Sequence, residues 1–150
     1  MAKLGIKELA LSVIGGAGSA LCYLLGGYDV KIEVLAGLMA ADILTGIIVA
    51  AVFKKSTKTE TGALSSQYGA KGFFKKVGML IGVAVCVMID KLFKSDFFRN
   101  GAILYLIGNE ILSITENFAV MGFKIPILAD AVDMVRKLSQ QKPEEKKENV

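Results

Sequence analysis

Residues 34–53 read VLAGLMAADILTGIIVAAVF, twenty residues between Glu33 and Lys54 that carry one charge, Asp42. At about 1.5 Å per residue such a run is long enough to cross the roughly 30 Å hydrocarbon core of a bilayer as a helix. Charges bracket three more stretches in the same way. Residues 9–28 are twenty uncharged residues between Glu8 and Asp29. Residues 77–89 are thirteen between Lys76 and Asp90, and residues 100–123 are twenty-four between Arg99 and Lys124, interrupted by Glu110 and Glu116. The short third run reaches both interfaces if Lys75, Lys76, Asp90 and Lys91 snorkel and the helix continues through Leu92 and Phe93. The pattern predicts an all-α, polytopic membrane protein with spans near 9–28, 34–53, 75–93 and 101–123.

Composition agrees. Hydrophobic residues make up 53% of the 150 and the mean hydropathy is +0.53. Exchanging tyrosine for glycine in that count gives roughly 61%, where soluble domains sit near 45–50%. A water-soluble fold of this length could not hide so much apolar surface, and the same number excludes disorder. The chain has no histidine, the commonest general base and metal ligand, and its two cysteines, Cys22 and Cys86, cannot build a zinc site alone. Neither a cofactor nor a metal is expected, nor is enzymatic activity; Glu110 and Glu116 lie on one apolar helix without a sugar-binding aromatic cluster.

Lysine and arginine orient the chain. With four spans and the N-terminus inside, fourteen basic residues fall on the inner side and four on the outer side, the bias of the positive-inside rule. Three spans would put the six basic residues from Lys124 onward outside. Both termini are therefore expected in the cytoplasm. Reading the first stretch as a cleaved signal peptide is the weaker alternative, because the run is long and no small-residue cleavage site followed by a polar start is visible.

Small residues recur at four-residue spacing. Gly78 and Gly82 form a full GxxxG, and Gly37/Ala41 and Gly46/Ala50 mark the second span. In lipid such ridges let helix backbones approach closely, within one bundle or between copies. The fourth segment carries the polar residues. At about 100° per residue, Asn109, Glu110, Ser113, Glu116 and Asn117 fall within an arc of about 120°, opposite Ile103, Ile107, Ile111, Thr115 and Phe118. A carboxylate facing lipid is costly, so the arc must face helices, water or a neighbouring subunit. It reads as a buried polar seam or as a lesion lining that becomes wet on assembly; a helix lying along the interface is a further option. Asp42 is the other costly group, with pairing to a polar residue of the fourth helix and a triggering role as its two readings.

The segment 54–76 reads as a basic cytoplasmic loop in which Lys54, Lys55, Lys71, Lys75 and Lys76 contact lipid headgroups. Nucleic acid is not expected as a partner: membrane flanks explain a pI near 9.0. Residues 1–126 thus form the membrane domain. Gly122 and Pro126 stop the fourth helix. An amphipathic helix over 127–138 follows, with Ile127, Leu128, Ala131, Val132, Val135 and Leu138 as its stripe, and then a charged, disordered tail over 139–150.

Several of these residues form an ordered set: Asp42-Ile-Leu-Thr-Gly46, a lysine-rich loop with Ser65-Ser66, Gly69 and Gly72, Lys75-Lys76-Val77-Gly78-Met79, a span ending in Asp90, Asn109-Glu110 through Glu116-Asn117, and Gly122 to Pro126. The set resembles the bacteriophage holin family, which includes clostridial toxin-secretion holins. The resemblance implies a homo-oligomer in the bacterial cytoplasmic membrane. It also implies timed lesions through which a cytoplasmic endolysin, or a toxin lacking a signal peptide, escapes. The alternatives are a small oligomeric ion channel or transporter subunit, in which Asp42 and Glu110 would serve permeation, and a membrane anchor or scaffold.

Overall fold

Helix α1, Ile6–Leu24, begins where the Gly5 backbone N–H donates to Glu8 Oε2 at 3.1 Å. It ends at a Leu25-Gly26-Gly27 turn in which the Gly27 N–H donates to the Cys22 carbonyl at 2.8 Å. The computed structural model describes residues 5–56 and 61–140, and every regular element among them is helical. Asp29 then caps α2, Val30–Ile48, by accepting the Ile32 N–H at 2.9 Å. A π-helical turn, Val49–Phe53, prolongs α2.

The return is tight. The Ser56 N–H donates to the Gly62 carbonyl at 2.9 Å, and a Cβ on Gly62 would lie 2.2 Å from the Lys54 carbonyl oxygen. With φ at +70° as well, this position accommodates only glycine. Helix α3 follows, Ser66–Phe93, and after a three-residue link α4, Phe97–Val120. Gly122 separates α4 from α5, Pro126–Gln140.

Side-chain contacts set the helix directions. Lys31 Nζ donates to Asn100 Oδ1 at 3.0 Å near the start of α2 and α4, while Asn117 reaches Asp42 farther along both, so these helices run parallel. Helix α3 is antiparallel to α4, with Lys76 beside Glu110 and Asp90 beside Arg99. Helix α5 folds back along α4, where a Cβ on Gly108 would touch Val135 at 3.6 Å and one on Gly101 would touch the Ser139 carbonyl at 3.4 Å.

Helix α4 is central. Leu25, Ile32, Leu35, Met39, Val83, Ile103, Leu106 and Ile107 form the core between α2, α3 and α4. Ile103 and Ile107, read from periodicity as the side away from the polar arc, are therefore core residues. Helix α1 has no buried residue; Lys91 of α3 stacks over its Tyr23 ring at 4.7 Å. Broad apolar faces stay uncovered, including Leu44 on α2 and Phe74, Ile81, Met88 and Leu92 on α3. Exposed apolar surface of this extent marks a protein whose solvent is lipid or another protein.

Two helices among the described residues are long and apolar enough to cross a membrane, Val30–Phe53 and Ser66–Phe93. Helix α1 starts before Lys7 and Glu8 and breaks at the glycine turn, so its uncharged part ends four residues before the expected 28. The expected loop 54–76 also shortens, because residues 66–76 belong to α3 and carry Lys71, Lys75 and Lys76 on a helix. Ser139 and Gln140, expected in the tail, complete α5. The remaining tail, 141–150, lies outside the described residues.

Candidate functional site

Three helices bring five polar side chains together at the heart of the bundle. Lys76 Nζ of α3 lies 2.9 Å from Asp42 Oδ2 of α2 and also pairs with Glu110 Oε2 of α4. Asn117, two turns beyond Glu110, donates its Nδ2 hydrogens to Asp42 Oδ1 at 3.2 Å and Thr45 Oγ1 at 2.9 Å. Thr45 in turn donates to the Asp42 backbone carbonyl at 3.1 Å. The three ionisable side chains are 12%, 11% and 3% exposed, in the order Lys76, Asp42, Glu110.

Taking charges out of water costs several kcal/mol each, and attraction repays this only where geometry is good and spare lone pairs are satisfied. This cluster meets both conditions: each carboxylate takes the ammonium, and the free oxygen of Asp42 takes an amide hydrogen. Two carboxylates against one ammonium leave a formal excess of one negative charge when all are ionised.

The site corrects the reading of Lys76. It is no headgroup contact but the cation of the cluster, and its stem runs inward from the third turn of the long helix α3. Lys54, Lys55, Lys71 and Lys75 are exposed. The five polar residues of α4 also divide. Glu110 and Asn117 join Asp42, Asn109 and Ser113 are half-buried, and Glu116 is exposed outside the cluster. The pairing of Asp42 with a polar residue of the fourth helix, one of its two readings, has a definite partner in Asn117.

Of the four glycines singled out for packing, Gly46 faces a neighbour, its would-be Cβ 3.8 Å from Asn117 Nδ2. A Cβ on Gly37, Gly78 or Gly82 would meet nothing within 4 Å. The GxxxG ridge of α3 therefore stands open.

A second polar knot, at the opposite end of α3, is not foreseen by the sequence pattern. Asp90, expected to snorkel, is buried and accepts the backbone N–H groups of Phe98 at 3.1 Å and Arg99 at 2.7 Å, with the Ser95 hydroxyl at 2.5 Å. It thus caps α4 from the preceding helix, satisfying amides at the positive end of the helix dipole. The Arg99 guanidinium reaches the α1–α2 turn, donating to the carbonyls of Leu25 at 2.5 Å and Gly27 at 3.1 Å and to Asp29 Oδ2 at 2.8 Å. That last bond holds the Asp29 carboxyl below the usual carboxylate range, against partial burial, which pushes it up. Gly26 leaves room for the arm: with φ at +80°, its Cβ would lie 2.7 Å from Arg99 Nε. The one sign in the sequence is an arginine standing at a span boundary, seventy residues from Asp29, and pattern alone does not join them.

The arrangement is a closed bundle with a neutralising lysine inside and apolar, small-residue surfaces outside. Asp42, Lys76, Glu110 and Asn117 are turned toward one another, which suits a membrane element that packs with others.

Comparison with known proteins points the same way. The model of the bacteriophage holin family matches residues 19–137. The chain is 35% identical over 121 residues to an uncharacterized protein of Listeria innocua, covering 79% of this chain and 81% of that relative. It is 33% identical over 128 residues to a probable holin of Bacillus phage phi105, covering 83% and 87%. An uncharacterized protein of Clostridium perfringens is 33% identical over 111 residues, covering 73% and 76%. No solved structure matches.

Proposed function

The chain belongs to the bacteriophage holin family, and we propose that it accumulates in the bacterial cytoplasmic membrane, assembles with copies of itself and opens lesions at a set time. A cytoplasmic endolysin, or a toxin without a signal peptide, is what leaves. The role is non-enzymatic. In this reading α1 to α4 all cross the membrane and both termini are cytoplasmic, in keeping with the fourteen-to-four partition of basic residues.

The observation that carries the proposal is the pairing of a closed polar interior with an open exterior. Asp42, Lys76, Glu110 and Asn117 satisfy one another, so within one copy these polar side chains face each other and not a passage. The Gly78–Gly82 ridge and the bare faces of α2 and α3 leave surfaces on which further copies can pack. An ion channel using Asp42 and Glu110 as permeation groups would need them facing a bore, whereas both face Lys76.

Co-expression with a folded endolysin lacking a signal peptide, following lysis and membrane potential together, tests the proposal. Release of the enzyme when the potential collapses supports it. Collapse without release would replace it by the small-channel reading. A reporter active only outside the membrane, fused after Val150, tests topology: activity there would require an odd number of spans.

A further inference from the structure

No residue of α1 is buried, yet one side of this helix is built for contact. At about 100° per residue, Glu8, Ser12, Gly15 and Ser19 fall within an arc of about 60°, opposite Ala10, Val13, Ala17 and Leu24. On α3, Lys71, Lys75, Gly78 and Gly82 repeat the same spacing 63 residues further on, and all four are exposed. A Cβ on Gly15, Gly78 or Gly82 would meet nothing within 4 Å.

The end of α1 is tied to its own α3. Lys91 stacks over Tyr23 at 4.7 Å, and a Cβ on Gly26 would lie 3.1 Å from Val87 Cγ2. The two helices therefore run in the same direction. These contacts set α1 residues level with α3 residues 68 and 61 further along the chain, and the offset of 63 falls between them. Val87 and Lys91, however, lie about 150–170° round α3 from the Lys71–Gly82 arc. Arg99 holds the turn there through the carbonyls of Leu25 and Gly27. A chain's own α1 is thus anchored on the wrong side of α3 to cover that arc.

We propose that α1 of one copy docks in parallel on the exposed arc of α3 of the next copy. Glu8 then stands against Lys71 and Lys75, Gly15 against Gly78 and Ser19 against Gly82. One membrane plane holds all copies at the same depth, so the level set within a chain is also the register between chains. Small residues let the backbones approach closely. Charge selects the partner: two α3 arcs face to face would oppose Lys71 and Lys75 to their own copies, and two α1 arcs would oppose Glu8 to Glu8. The contact is head-to-tail, so copies add until a ring closes, whereas a face-to-face pair stops at two. The inference rests on the reading above, in which α1 crosses the membrane beside α3.

The test uses two differently tagged full chains, both with Cys22→Ser and Cys86→Ser, co-expressed in bacteria and oxidised in membranes with copper phenanthroline. One carries Ser19→Cys and the other Gly82→Cys; Gly15→Cys with Gly78→Cys is the second pair if the first does not insert. A disulfide needs Cα atoms within about 7 Å, so the mixed dimer should exceed either same-chain dimer at least about fivefold. Glu8→Lys in the first chain should lower the mixed product about threefold, and Lys71→Glu with Lys75→Glu in the second should restore it. Excess of the Gly82→Cys chain linked to itself would mean that α3 pairs with α3 and would overturn the proposal. So would a mixed product indifferent to Glu8→Lys. An internally linked monomer from a chain carrying both cysteines, without mixed dimers, would place α1 on its own α3 and overturn it as well. Endolysin release is followed separately. Mixed dimers without release uphold the interface and defeat the lesion-forming reading, whereas release without mixed dimers defeats the interface alone.

Discussion

Lys76 Nζ stands 2.9 Å from Asp42 Oδ2 although the two residues belong to different membrane-length helices, and the same ammonium holds Glu110 of a third. One lysine thus joins the helices α2, α3 and α4.

Removing the ammonium should be far worse than removing the whole cluster. Lys76→Met takes the ammonium away from two buried carboxylates, a change expected to cost about 3–5 kcal/mol. The triple variant Asp42→Asn, Lys76→Met, Glu110→Gln should recover at least about 1 kcal/mol of that, since no unpaired charge remains. Denaturation in detergent and the amount of membrane-inserted protein measure both; a triple variant no more stable than Lys76→Met would separate the cluster from stability.

Asp42→Asn should change timing rather than insertion. Asparagine keeps an oxygen for the Asn117 amide, and Lys76 keeps Glu110, so accumulation should stay within about twofold. The formal excess charge disappears, and one unit charge moved through the field involves about 2.3 kcal/mol per 100 mV. The onset of lysis should therefore shift; unchanged onset at normal accumulation would remove Asp42 from triggering.

The Arg99–Asp29 contact should loosen in acid. The Asp29 carboxyl is held below its ordinary value by Arg99. A group depressed in the folded state contributes stability that is complete above its unfolded pKa, about 3.9, and lost as pH falls through the folded value. Proteolytic opening of the α1–α2 turn should therefore be flat at neutral pH and increase only below about pH 4. Arg99→Gln should be open throughout and lose that acid step, and Gly26→Ala, which crowds the guanidinium, should resemble it.

Gly78→Leu and Gly82→Leu should spare the fold and hinder assembly. A Cβ placed at either glycine would have no neighbour within 4 Å, so the monomer tolerates the bulk. Chemical cross-linking in membranes should show at least a several-fold loss of higher oligomers at equal expression. Oligomers of normal size would move the interface to another face.

The charge brackets determined the helical class of residues 34–53 and 77–89 and gave them the length and apolarity to cross a membrane, because in lipid an apolar run must close its own backbone hydrogen bonds and a helix does so locally. Proline, glycine and the amphipathic period likewise placed α5, whose stripe the structure narrows to Leu128, Ala131, Val132 and Val135, with Ile127 and Leu138 exposed. Periodicity also grouped Glu110 with Asn117, since angle around a single helix is a local property. Which neighbour fills that angle is not local. Only the packing of three helices brought Lys76 from the expected headgroup layer to Asp42 and Glu110, turned Ile103 and Ile107 into core, and left Glu116 outside. Arg99 and Asp29 likewise meet across seventy residues only in the tertiary structure. Desolvation makes each of these buried charges depend on a partner, and the chain finds that partner only when its helices are assembled.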